Sequence, residues 1–189
     1  MPASELLDAE LVHPSVWSLI QTAPRPGLGS EPRCAATRQA IEKLQWDGIR
    51  LGPQSADPLA EQLGLAGLWL LAGELDRSHT LSQSIDSASG AYWHGIMHRR
   101  EGDFSNAKYW FRRVGTHPVQ LALAEHVARH RGQLEQQGVD CSRLCSSSQT
   151  AEALVDLCQA AATGQAAQSA QLELICWWEW QLLLGYSLR

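Results

Sequence analysis

No uninterrupted apolar run in this 189-residue chain reaches the ~18 residues that a membrane-spanning helix requires. No stretch shows the persuasive period-two alternation of a half-buried strand. Common catalytic signatures are missing too. There is no GxSxG, no phosphate-binding glycine loop, no GxGxxG behind a strand and no zinc-protease HExxH. Charged residues make up only 19% of the chain and the net charge is −5, which argues against general nucleic-acid binding. The five cysteines, at 34, 141, 145, 158 and 176, are odd in number. The first residues, MPASELLDAELVHP, are acidic and carry no apolar signal core. Together these features predict free thiols in a reducing cytoplasm. Cys141-x-x-x-Cys145 lacks the second pair of a zinc knuckle and reads as structural. Cys176, directly before Trp177 and Trp178, reads as a packed thiol rather than a nucleophile.

What the chain does have is concentrated in residues 90–118, GAYWHGIMHRREGDFSNAKYWFRRVGTHP. This window holds two of the eight Trp, two of the three Tyr, both Phe and three of the seven His. Glu101-Gly102-Asp103 supplies a tight turn, with Gly free to take a positive φ and Asp able to cap the next helix. Upstream, Tyr92, Ile96 and Arg99 share one helical face. Downstream, Ala107, Trp110, Phe111 and Val114 recur at helical spacing until Gly115 and Pro118 stop the helix. The spacing predicts two antiparallel helices.

Gly95, Gly102-Asp103-Phe104, Ala107, Phe111, Val114 and Pro118 resemble the tetratricopeptide helical hairpin. A weaker copy, Ala66, Gly73-Glu74-Leu75, Ser78 and Ile85, precedes it at an offset of 29 residues. The resemblance implies a small residue midway along each first helix, with an aromatic side chain of the second helix filling the groove. The wording YWHGIMHRRE…NAKYWFRR is also similar to an uncharacterised family of bacterial and fungal proteins, a likeness that implies no activity. One departure stands out. Where the repeat places large apolar side chains around its small residue, and the first copy has Leu65 and Trp69, this hairpin has His94 and His98.

Around the hairpin the pattern stays helical. Residues 1–31 read as an accessory segment with a short helix at 15–21 and a Pro/Gly loop at 23–30. A helix is expected from Pro32 to Trp46, striped by Ala36, Ala40, Ile41, Leu44 and Ile49. A loop follows through Gly52-Pro53. Asp57-Pro58 starts a Leu-rich helix that ends near Ala72, and residues 75–85 form its partner. Residues 119–132 give a helix with Leu121, Leu123, Ala124 and Val127 on its apolar side, and a second imidazole pair, His126 and His130. Residues 133–148 are polar and partly irregular. Helices at 150–162 and from Ala166 to Leu184 complete the chain. Trp177, Trp178 and Trp180 cannot share one face, so the last helix lies between neighbours or exposes a patch where a second subunit could dock. The expected architecture is all-α: a tetratricopeptide-like array of antiparallel hairpins forming a single domain over residues 32–189.

Two candidate sites follow. His94 and His98, at i and i+4, point the same way and can share a transition metal, with Glu101 one turn on as a third ligand. The plainer alternatives are a hydrogen-bonded imidazole pair in a buried polar network, or imidazoles contacting a ligand without metal. Arg99, Arg100, Arg112 and Arg113 form the second feature, with Trp93 and Tyr109 offering faces for stacking. They suit a small anion or an acidic partner segment, unless they pair with acidic residues elsewhere in the chain. Between Arg99 and Arg113 five cations meet only Glu101 and Asp103, a local charge of +3. Asn106 and Lys108 add hydrogen-bonding groups without an assigned role. The expected function is a binding or scaffold module; the alternative is a metal-dependent or acid–base enzyme built on His94 and His98.

Overall fold

The computed structural model describes residues 6–30, 33–48, 50–52, 57–146, 149–164 and 169–189. The expectations for Pro32, Ile49, Pro53 and Ala166 lie outside them. After a single 3-10 turn, Ala9–Leu11, the helices are α1 (Pro14–Thr22), α2 (Ala35–Trp46), α3 (Pro58–Leu71), α4 (Leu75–Ser84), α5 (Ala88–Glu101), α6 (Phe104–Val114), α7 (Pro118–Gln136), α8 (Thr150–Ala162) and α9 (Ser169–Ser187). No strand occurs among the described residues, as the sequence predicts.

Local chemistry explains the central hairpin. The Ser87 side chain accepts the Gly90 N–H at 3.0 Å and starts α5. Gly102, at φ +89°, ends it, and the Asp103 N–H returns to the His98 carbonyl at 3.0 Å. Asp103 then caps α6 by accepting the Asn106 N–H at 3.1 Å. Helix α7 begins on His117-Pro118, with His117 Nδ1 accepting the Val119 N–H. It runs one turn past residue 132, to Gln136, and the described residues beyond it, 137–146, are irregular.

From α2 to α6 each helix packs on the next, and α9 crosses back over α3, α7 and α8. Gly95 makes the close approach of α5 to α6 possible: a Cβ there would stand 3.1 Å from the Phe111 ring. Gly67 does the same for α3, with a Cβ reaching 2.8 Å from the Trp93 ring. The Gly67 carbonyl also accepts the Trp180 indole N–H at 2.8 Å. Trp93 cannot retreat, because it is fully buried and its own indole N–H is bound to Ser187 Oγ at 3.2 Å. Gly67→Ala is therefore expected to cost about 1–3 kcal/mol of stability, the usual penalty of overpacking. Urea unfolding would measure it, and an unchanged midpoint would mean that Trp93 can give way.

Two apolar clusters share α9. Trp177 and Trp180, stacked with centroids 4.9 Å apart, face the first; Trp178 faces the second with Leu123, Val127 and Leu154. All three indoles are buried, so they form no exposed patch for a second subunit. The helix lies between neighbours, the other arrangement its Trp spacing allowed. The N-terminal segment also needs correction. Leu7, Val12, Val16, Leu19 and Ile20 belong to the first cluster, and the Leu6 N–H is bound to the Gln181 side chain at 3.1 Å. It is part of the core rather than an accessory. Two smaller expectations fail because a neighbour is lacking at that point. Ala36 is exposed while Thr37 is buried, and Leu121 is about half exposed.

Candidate metal centre

Helix α5 is buried along nearly its whole length, which places its polar side chains inside the protein. His94 and His98, one turn apart, stack with centroids 4.7 Å apart. Trp110 of α6 covers the other neighbour face of this stack, lying 4.0 Å from the His94 ring at 14°. Helix α4 contributes a third imidazole. The His79 ring meets His94 edge-on at 4.6 Å and His98 at 5.4 Å. One ring nitrogen from each of the three lies within 4.8 Å of the others. His79 is only half-buried, so the cluster reaches solvent on its side.

His94 is the anomaly. It is 2% exposed, yet neither ring nitrogen meets a hydrogen-bond partner among the described residues. A buried polar atom left unpaired costs roughly 1–3 kcal/mol. Burial first, then the His98 and His79 rings, push its pKa down to about 3, so His94 is neutral. His98 is anchored differently. Its Nδ1 lies 2.9 Å from the Glu101 carboxylate, which can only accept when ionised, so Nδ1 carries the proton and Nε2 the lone pair. Asn106 Nδ2 stands 3.1 Å from that Nε2. Glu101 thus stands behind His98, as carboxylates commonly do behind a metal-bound imidazole, and its own oxygen also lies close enough to His98 and Asp103 to share an ion with them. Asp103 also lies near His98 and Glu101. It is committed to capping α6, and the bonds from the Asn106 N–H and the Ser105 hydroxyl hold its carboxyl below the usual range.

The second imidazole pair does not join the first. His126 and His130 pack against Trp178, with His130 Nδ1 bonded to the His126 carbonyl at 2.9 Å. Burial first, then the charges of His130 and Arg129, lowers His126 to about 4. A histidine whose folded pKa lies below its unfolded value stays neutral while the unfolded chain takes a proton. Its contribution is present above pH ~6.5 and is lost as pH falls toward the folded pKa. At about 1.4 kcal/mol per unit, His126 alone should remove on the order of 3 kcal/mol between pH 6.5 and 4. Urea midpoints across that range would show the fall. His126→Asn should make the fall shallower, the rest belonging to His94 and His117, and an unchanged slope would sink this assignment.

The arginine cluster disperses. Arg99 is 2% exposed and pairs with the fully buried Glu179 of α9. Arg100, also buried, donates to the Leu70 carbonyl and, at 3.5 Å, to that of Gly29. Arg112 points outward toward Glu152 at 3.7 Å. Arg113 lies over Trp110 at 5.1 Å and donates to the Tyr109 hydroxyl at 3.4 Å. Trp93 is core. The four cations thus form no single patch, and for Arg99 and Arg112 the partner is an acidic residue elsewhere in the chain. His79 was missed because it has no imidazole at i±3 or i±4; only the packing of α4 on α5 supplies its neighbours. Lys108, likewise without an expected role, pairs with Asp156 of α8.

The fold and site together define an all-α single domain with a three-imidazole cluster, buried at His94 and His98 and half-buried at His79. Comparison with family models, with curated proteins and with solved structures yields no match.

Proposed function

We propose that this protein is a helical binding protein whose ligand is a divalent transition metal, held by His79, His94 and His98. The observation that carries the reading is His94: an inward imidazole with both nitrogens unpartnered, beside two others with donors within 4.8 Å. Two ligands of a tetrahedral ion with bonds of about 2.0–2.1 Å stand roughly 3.3 Å apart, so modest ring rotations would complete the set. Asn106 would give up its contact with His98 Nε2 to the ion. Three imidazoles leave a fourth position for water or a small ligand on the half-buried His79 side, the donor number of catalytic rather than closed structural sites. Imidazole nitrogens suit zinc, cobalt, nickel and copper.

This reading replaces the small anion or acidic segment as the leading ligand, because Arg99, Arg100, Arg112 and Arg113 all have partners within the fold. A metal-dependent activity stays compatible with the open position. The test is titration of tag-free protein with Co(II), followed by absorption spectroscopy. Binding of one ion without a thiolate charge-transfer band supports the site. Absence of binding, or a thiolate band showing that cysteines hold the ion, would overturn it.

A further inference from the structure

Helices α8 and α9 bring together a buried thiol, Cys158, and a half-buried one, Cys176. Cys158 Sγ and Cys176 Sγ are 3.9 Å apart, and all five cysteines are free. The pair sits beside Arg99, whose charge acts on both sulfurs and whose Nη1 has no hydrogen-bond partner among the described residues. Cys158 lines a cavity of about 390 Å³ shared with Arg99, Leu28 and Ala161. Cys176 lines a smaller one of about 20 Å³, which Arg99 also lines. A small oxidant thus has a chamber against Cys158, a fixed cation beside the sulfur and a second thiol in reach.

We propose that Cys158 and Cys176 are an oxidisable dithiol, converted by a hydroperoxide into a disulfide that ties α8 to α9. The Cys158 thiolate attacks the terminal peroxide oxygen. The O–O bond breaks, and the departing alkoxide takes a proton and leaves as an alcohol, or as water from hydrogen peroxide. Cys158 is now a sulfenic acid. The Cys176 sulfur then attacks the Cys158 sulfur, the S–O bond breaks, and the hydroxide takes the Cys176 proton to leave as water. Two thiols are oxidised by two electrons and one peroxide is reduced. The S–H of Cys176, and then the charge of Arg99, favour the Cys158 thiolate, lowering its pKa against the cost of burial and the opposing charge of Glu179. The other cysteines lack this arrangement. Cys141 is buried with its thiol pushed up to about 11, first by burial. Cys34 accepts the Thr37 hydroxyl at 3.0 Å, at the start of α2. The inference is independent of the metal centre and survives its failure.

The experiment treats reduced, full-length protein with a small excess of hydrogen peroxide, blocks remaining thiols and cleaves after glutamate without reduction. Cuts at Glu152, Glu173 and Glu179 separate the two cysteines onto different peptides. A linked pair with 2 Da less than the sum of its parts, and a fall from five free thiols toward three, is expected. Protein first unfolded in urea should lose this selectivity. In Cys176→Ser, Cys158 should stop at a sulfenic acid that dimedone traps, a product that a merely packed thiol would not yield. Should Cys158→Ser fail to fold, the Cys176→Ser result and the peptide map decide alone. Oxidation without the linked peptide, or the same mixture of pairings in folded and unfolded protein, would overturn the proposal.

Discussion

Replacing Glu179 with Gln is expected to lower the free energy of unfolding by about 3–5 kcal/mol, the cost of leaving one member of a buried ion pair uncompensated. Glu179 is fully buried and Arg99 is 2% exposed. Glu179 accepts from the Arg99 guanidinium with one oxygen and from the Tyr92 hydroxyl at 3.2 Å with the other. Burial, and then the Glu179 charge, push the Tyr92 hydroxyl well above its ordinary range, so it stays a donor. Removing the carboxylate charge leaves a guanidinium in the core with no counter-ion and deprives Tyr92 of a charged acceptor. A domain of this size has only about 5–15 kcal/mol in hand, so the variant should approach the limit of folding. The double change Arg99→Met with Glu179→Gln removes both charges and should recover much of the loss. Urea unfolding followed by tryptophan fluorescence would measure all three proteins. A loss under about 1 kcal/mol in the single variant would refute the uncompensated charge.

The second large effect is that of the metal. An ion that binds the folded protein alone, at a thousand times its dissociation constant, adds about 4.1 kcal/mol of stability. For a domain of this length that is roughly 8–16 °C in melting temperature. His94→Ala should abolish the gain; because it also removes a buried ring packed on Trp110, the shift is read against the metal-free variant's own, lower melting temperature. His79→Ala tests the ligand that helix packing adds, and it should lose the gain as well. Glu101→Gln should retain the site but weaken it 10–100-fold through its hold on His98. His130→Ala, in the other imidazole pair, should leave the shift intact. Equal shifts in wild type and His94→Ala would place any ion elsewhere and end the three-imidazole reading.

Much of the helical order was legible because its causes are local. Gly102, Asp103, Asp57-Pro58 and Pro118 are start and stop chemistry written within a few residues of the turn they control, whereas the Ser87 cap that starts α5 was not read. The His94–His98 stack was legible for the same reason, since i, i+4 geometry belongs to any α-helix. Gly95 against Phe111 also matched, because both positions lie in one hairpin. The N-terminal segment misled, as its Pro/Gly loop concealed how much of residues 7–20 enters the core.

The sequence by itself determined an all-α chain, its turns, and two imidazoles on one face of a central helix. Tertiary structure alone decided what those side chains meet. His79 joins His94 across 15 residues, Arg99 finds Glu179 across 80, and Cys158 meets Cys176 through the packing of α8 on α9. Whether a charge or an imidazole is buried depends on which helix covers it. That is set by how side-chain volumes such as Trp93 against Gly67 interlock, and no local spacing encodes it.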